Sequence, residues 1–182
     1  MSVAFSPRHD RTGSPVTPTV LMSLLEQLRD VVALMPVHCY RAQPAARVSG
    51  SIGAHVRHTV DHVSALVAAV EGEELHYDHR RRGTTVEVDP LTGMNEIERA
   101  VFRLRRIDAA ALDRPIAFAT LLDADQPAVV VRSTFARELA FVIQHTVHHC
   151  ALIALLLEWQ GYSVPRHFGV AASTRQARAL AG

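Results

Sequence analysis

Residues 133–161, STFARELAFVIQHTVHHCALIALLLEWQG, show helical periodicity over the longest stretch of this sequence. Ser133 or Thr134 can cap the start of such a helix, and Gly161 can end it. Its apolar side chains recur at helical spacing and share one stripe, made of Leu139, Val142, Leu152, Leu156 and Trp159. We therefore expect this segment to be the central helix of an all-α domain.

Three further segments with the same periodicity precede the central helix. The first helix is expected from Pro18 to Pro36, the second from its N-cap Ser51 to Gly72, and the third over about 91–112. Four helices joined by at least one long connection predict a four-helix bundle with long crossover connections.

The remaining segments do not follow the helical period. Ile116–Leu122 and Ala128–Arg132 contain β-branched residues around a turn and predict a short β-hairpin between the third and fourth helices. Residues 1–17 are expected to form a flexible N-terminal arm, because they combine Ser, Pro, Gly and charge without periodicity. The bundle would then span 18–161, and 162–182 would be a C-terminal tail that packs on it and ends in a short helix near 175–181.

The composition excludes several classes of function. A chain of 182 residues with 48% hydrophobic and 20% charged residues fits one globular domain. All 19 basic residues are Arg, which excludes Walker A and Schiff-base lysines. The formal net charge of +1 gives no reason to expect nucleic acid or a membrane surface as a partner. Because Cys39 and Cys150 form no disulfide framework and no signal peptide or spanning segment is visible, we expect a cytoplasmic protein.

Histidine carries the functional signal, since six of the eleven histidines lie in two short stretches. In the central helix, His145 and His149 are four residues apart on the apolar stripe, and His148 is rotated to its edge. Two imidazoles stacked in an apolar stripe favour a metal site over a pair of hydrogen-bonded core histidines, because an unpaired buried polar group costs about 1–3 kcal/mol.

The second helix offers further ligands on one side, His55, His58 and His62. One of them together with the later pair would make a three-ligand site with an open position for water or substrate. Helical-wheel angles place His55 and His62 nearer the apolar centre than His58, so periodicity alone does not favour His58. A ligating imidazole usually donates its second N–H to a carboxylate or carbonyl, which Asp61 or Glu138 could supply.

The stretch 51–58, SIGAHVRH, followed by the pair His145 and His149, resembles the DinB-like superfamily, which includes bacillithiol and mycothiol transferases and maleylpyruvate isomerases. The resemblance covers roughly residues 21–173 and implies a homodimeric four-helix bundle that holds a divalent metal ion. Zn²⁺ or Ni²⁺ is the first expectation, with Fe or Mn as alternatives. The implied ligands are His58, His145 and His149, and His55, His62 and His148 become supporting residues or alternative ligands.

The same resemblance implies a chemistry. The ion would activate a small-molecule thiol for attack on an electrophilic substrate, or polarise a carbonyl for isomerisation. After the second helix, a polar link contains Tyr77, Asp78, Arg80 and Arg82, which could bind a substrate carboxylate or phosphate or form only a solvated loop with local ion pairs.

Two hypotheses of different class follow. The first is a metal-dependent enzyme of thiol S-transferase or isomerase type. The second is a non-catalytic dimeric binding or stress-response module whose metal is structural or absent. The number of protein ligands distinguishes the two hypotheses. A structural zinc site normally has four protein ligands, whereas a catalytic site has three and keeps one position open for water or substrate.

Overall fold

The computed structural model describes residues 16–44, 50–78 and 82–180, and it is mainly helical with one small sheet. The α-helices are α1 (Pro18–Leu34), α2 (Val37–Arg41), α3 (Ile52–Glu71), α4 (Pro90–Leu104), α5 (Phe135–Trp159) and α6 (Ala172–Leu180). The strands are β1 (Leu75–His76), β2 (Pro115–Thr120) and β3 (Val129–Thr134). Two 3₁₀ turns, Thr85–Glu87 and Ala109–Asp113, flank α4.

The long helices pack against one another in pairs. Helix α1 contacts α4 and α5, and α3 also contacts α4 and α5. Each buries an apolar stripe in one common core, for which Leu25, Val63, Ile97 and Leu139 are representative. The prediction of a mainly helical domain is confirmed, and its finer description as a four-helix bundle with crossover connections stays a prediction.

The two histidine-bearing helices, α3 and α5, begin and end close to where the sequence predicts. The Ser51 hydroxyl accepts the N–H of Ala54 at 3.1 Å and caps α3, and Gly72 ends that helix with φ 106°. In α5 the Thr134 hydroxyl accepts the N–H of Arg137 at 3.3 Å. These caps use local side chains, which explains why the sequence alone locates both helices.

The segment between α4 and α5 differs in part from the prediction. Helix α4 ends at Leu104 rather than near residue 112, because the Asp108 carboxylate accepts the N–H of Ala111 and starts a separate 3₁₀ turn. The predicted hairpin is present, since β2 and β3 pair antiparallel with Ile116 opposite Ser133. A third strand, β1, pairs parallel to β2, and it is too short for the sequence pattern to reveal it.

The entry into α3 is fixed by a close contact at Gly53. A Cβ atom at this position would lie 2.1 Å from the backbone oxygen of Glu87 and 2.6 Å from the Tyr40 ring. Tyr40 lies on α2 and is fully buried, and its hydroxyl donates to the backbone oxygen of Val86 at 2.6 Å. Only glycine allows α3 to approach the 3₁₀ turn this closely, and this contact sets the position of the helix that carries His58.

The C-terminal segment packs against the rest of the fold around Phe168 and Gly169. Phe168 is buried in the core, and a Cβ at Gly169 would lie 2.5 Å from the backbone nitrogen of Ala151. Helix α6, predicted near 175–181, covers 172–180, and all of its side chains are exposed. Trp159, predicted on the apolar stripe, is 60% exposed because it is the last residue of α5. Of the predicted N-terminal arm, residues 1–15 lie outside the described part of the chain.

Helix α5 is long and apolar enough to cross a membrane by length and composition alone. In the fold, 44% of the relevant stretch is buried against the rest of the chain. Core helices of globular proteins pass the same test, so this is weak evidence for a membrane span.

Candidate metal centre

Packing of α3 against α5 brings the two histidine clusters together. The ring centroid of His58 lies 4.9 Å from that of His145 and 4.4 Å from that of His149. The His62 and His145 rings stack with centroids 4.2 Å apart. Four imidazoles that are up to 91 positions apart in sequence, from His58 to His149, therefore share one site.

The Nε2 atom of His145 is shared between two neighbours. It lies 2.9 Å from Nε2 of His58 and 3.1 Å from Nε2 of His149. A ring nitrogen carries either one proton or one lone pair in the ring plane, so it can make one full hydrogen bond. A hydrogen bond can therefore account for only one of these two short N–N contacts. A cation would account for both, because it can bind the lone pairs of the Nε2 atoms of His58, His145 and His149.

The spacing of these nitrogens is close to that of zinc ligands. A tetrahedral ion with Zn–N bonds of about 2.0–2.1 Å holds its ligand nitrogens about 3.3 Å apart. The observed separations of 2.9 and 3.1 Å are slightly shorter and of the same size. Burial and the neighbouring imidazoles lower the pKa of His149 to about 3, so this ring is neutral at pH 7 and has a lone pair to offer.

His62 belongs to the same group. The potential donor atoms of His58, His62 and His145 all lie within 4.8 Å of one another, so these three histidines could hold a metal ion. Nδ1 of His62 lies 3.0 Å from the backbone oxygen of His58. A carbonyl oxygen only accepts, so Nδ1 carries the proton and Nε2 of the neutral ring has the lone pair.

The second nitrogen of His149 contacts another histidine. Nδ1 of His149 lies 3.0 Å from Nδ1 of His55, and both side chains are buried. Burial lowers the pKa of His55, with a smaller contribution from His148. The sequence led us to expect a carboxylate from Asp61 or Glu138 as such a partner. The partner observed for His149 is instead an imidazole.

Asp61 and Glu138 make other bonds. Asp61 forms an ion pair with Arg57 at 2.7 Å. Glu138 is fully buried, and its carboxylate accepts the Tyr77 hydroxyl at 3.0 Å and the Ser133 hydroxyl at 2.6 Å. Arg137 adds a third bond to Glu138 at 2.9 Å. The buried charge is therefore paired and hydrogen-bonded, as buried carboxylates require.

This network lies beside the histidines, although neither the spacing nor the resemblance predicted it. The Tyr77 ring stacks on His62 with centroids 4.9 Å apart and planes 8° apart. Burial and the nearby Glu138 carboxylate raise the pKa of Tyr77, which keeps its hydroxyl protonated as a donor. Tyr77 thus lines the site and helps to hold the orientation of His62.

The remaining predicted residues lie around the site or away from it. His148 is exposed, with its ring centroid 5.2 Å from that of His149. The Asp78 carboxylate accepts the Leu121 N–H at 3.0 Å and so ties the link to the hairpin. Arg82 is exposed, and Arg80 lies outside the described residues, so a substrate-binding role for this link stays a prediction.

Comparisons with known proteins agree with this fold. The chain matches a crystal structure of a DinB-like protein from Bacillus subtilis with a TM-score of 0.60 and 16% identity, over 83% of this chain and 96% of that one. It is also 34% identical over 103 residues to "FK506-binding protein 5" of Rhizopus delemar. That match covers 56% of this chain and only 27% of the length of the relative.

The family assignment comes from a match along the sequence. The family model of the DinB superfamily matches residues 21–153, which include all of α3, α5 as far as Ile153, and the histidines of both helices. The resemblance inferred from residues 51–58 and the later histidine pair is thereby confirmed. This chain belongs to the DinB superfamily.

Proposed function

We propose that this protein is a metal-dependent enzyme of thiol S-transferase type whose divalent ion is held by His58, His145 and His149. The observation that carries the proposal is the shared Nε2 of His145, 2.9 and 3.1 Å from the Nε2 atoms of the other two ligands. Neutral imidazoles suit Zn²⁺ and Ni²⁺, which we propose first, with Fe and Mn as alternatives.

Each proposed ligand has a defined setting. His58 and His145 are partly buried and lie at the edge of the cluster, while His149 is buried beneath them.

When bound, the ion would lower the pKa of a thiol and favour its thiolate form. The protein needs no nucleophile of its own for this reaction. Burial raises the pKa of Cys150 to about 12, so its thiol stays protonated at pH 7.

The reaction proposed is a transfer to carbon. The thiolate sulfur of a small-molecule thiol forms a new C–S bond with an electrophilic substrate, and a leaving group departs with the bonding electron pair. Carbonyl isomerisation on the same ion is the alternative within this class. We further propose that the protein forms a homodimer, as the family resemblance implies, and that it acts in the cytoplasm, as its cysteine usage suggests.

A second candidate function is supported by His62. Its Nε2 has the lone pair, and its donor atom belongs to the group within 4.8 Å that includes His58 and His145. If His62 completes the coordination, the site has four protein ligands, which is typical of structural zinc. The protein would then be a non-catalytic module stabilised by its metal.

Cobalt substitution tests both candidates. We would load the metal-free protein with Co²⁺ and add a small thiol such as 2-mercaptoethanol while recording the visible and near-ultraviolet spectrum. An open site predicts a saturable sulfur-to-cobalt charge-transfer band in the wild type. A closed four-histidine site predicts no such band until His62→Ala opens a position.

The same metal-loaded protein can be tested for transferase activity. With an open site, the loaded protein should accelerate the conjugation of the thiol to 1-chloro-2,4-dinitrobenzene, a reaction in which chloride leaves, relative to protein treated with chelator. His145→Ala should lose this acceleration. Equal rates for the loaded, chelated and substituted proteins would contradict transferase chemistry with this thiol and electrophile at this site.

A further inference from the structure

His55 has an unusual setting for a buried histidine. Its Nδ1 lies 3.0 Å from Nδ1 of His149, and its Nε2 is buried without a hydrogen-bond partner among the residues that the structure describes. Only 7% of the surface of His55 is exposed, so solvent does not satisfy Nε2. An unpaired buried polar group lowers stability, a cost that leucine at the same position would avoid. Within the described part of the chain, the ring of His55 therefore makes its one hydrogen bond with His149.

The short contact between the two Nδ1 atoms requires one proton between them. In the first arrangement, His149 donates from Nδ1 and its Nε2 has the lone pair, which faces Nε2 of His145 at 3.1 Å. In the second, His55 donates, and the proton of the neutral His149 ring then lies on Nε2. Only the first arrangement makes His149 a metal ligand through Nε2, because a protonated nitrogen cannot bind a cation.

We propose that His55 is a positioning residue: its Nδ1 accepts the Nδ1–H of His149 and so holds the Nε2 lone pair of His149 in the metal site. The inference rests on the proposed metal centre and adds a residue that does not touch the ion. An acceptor behind a ligating histidine usually fixes its tautomer and ring orientation, and its loss typically weakens metal binding 10- to 100-fold. Here the acceptor is a second imidazole instead of a carboxylate or carbonyl.

Two substitutions separate positioning from packing. His55→Leu fills much of the same volume but removes the acceptor. His55→Asn keeps an oxygen close to the place of Nδ1, since Oδ1 of asparagine and Nδ1 of histidine are the same number of bonds from the backbone. His167→Ala, at an exposed histidine in the C-terminal segment, serves as the matched control.

The first measurement is the zinc dissociation constant of each variant by competition with a chromophoric chelator. We expect His55→Leu to bind zinc 10- to 100-fold more weakly than the wild type, and His55→Asn to recover most of that loss. His167→Ala should equal the wild type. Equal affinity in His55→Leu and the wild type would overturn the proposal, as would an asparagine variant no better than leucine.

The second measurement needs no metal. Two-bond ¹⁵N–¹H NMR correlations of the metal-free wild type report which nitrogen of His149 carries the proton, with the resonance assigned by comparison with His149→Ala. The expected result is the Nδ1–H tautomer, and the Nε2–H tautomer would overturn the proposal even if His55→Leu fails to fold. If the wild type shows the expected tautomer but binds no divalent ion, the proposed metal function fails and the tautomer assignment of His149 stands.

Discussion

Replacing His145 by alanine should remove most of the stabilisation that bound metal gives to this protein. His145 supplies the nitrogen that lies within 3.1 Å of both other proposed ligands, so its removal leaves one of the three proposed ligands on each of α3 and α5. An ion at about 100 times its dissociation constant stabilises the folded state by about 2.7 kcal/mol. For a chain of 182 residues, the usual unfolding entropy per residue converts this free energy into a rise in Tm of about 7 °C.

The variant should lose most of this rise. If the substitution weakens binding 100-fold, the same ion concentration contributes about 0.4 kcal/mol, or about 1 °C. The assay is thermal unfolding of metal-free protein with and without added Zn²⁺, so that each variant is compared with its own metal-free form. His148→Ala, on the neighbouring exposed residue, should keep the full rise if His148 is not a ligand. A rise near 7 °C in His145→Ala would refute the assignment of the shared nitrogen.

Four further results are expected from the fold and the site. Ser51→Ala should lower the free energy of unfolding by about 0.5–2 kcal/mol in urea titrations, because it removes the cap of α3, and an unchanged midpoint would contradict this. Gly53→Ala should cost at least about 1–3 kcal/mol in the same assay, since its Cβ would collide with a backbone oxygen 2.1 Å away; a fully stable variant would show that the contact is not tight. Tyr77→Phe should cost about 1.5–3 kcal/mol by removing a hydrogen bond to the buried carboxylate of Glu138, and it should have no effect if that bond is absent. Cys150 should resist alkylation by iodoacetamide in the folded protein up to about pH 10, because its thiol with a pKa of about 12 is still protonated there, and rapid modification at pH 8 would contradict its burial.

Local patterns account for what the sequence predicted correctly. The limits of α3 and α5 follow from Ser51, Gly72 and Thr134, whose capping roles depend on neighbours within a few residues. The two β-strands after α4 were visible because β-branched residues interrupt the helical period. The metal hypothesis also began locally, because His145 and His149 are one helical turn apart and lie on the same face.

Contacts between distant segments account for what the sequence did not predict. His55 and His149 are separated by 94 positions, and Tyr77 and Glu138 by 61, so no periodicity links either pair. The helical wheel correctly placed His58 farther from the apolar centre of α3 than His55 and His62, since the His58 side chain is less buried than both. Its place in the cluster comes from the packing of α5 against the side of α3, which one helix alone cannot reveal.

The central claim is that this chain holds a divalent ion on its histidine cluster, and elemental analysis by mass spectrometry tests it most directly. The protein would be purified without chelator or polyhistidine tag, beside His145→Ala and His149→Ala. We predict about one divalent ion per chain in the wild type and a strongly reduced content in both variants. A folded wild-type protein that contains no metal, and takes up none when Zn²⁺ or Ni²⁺ is offered, would contradict the claim.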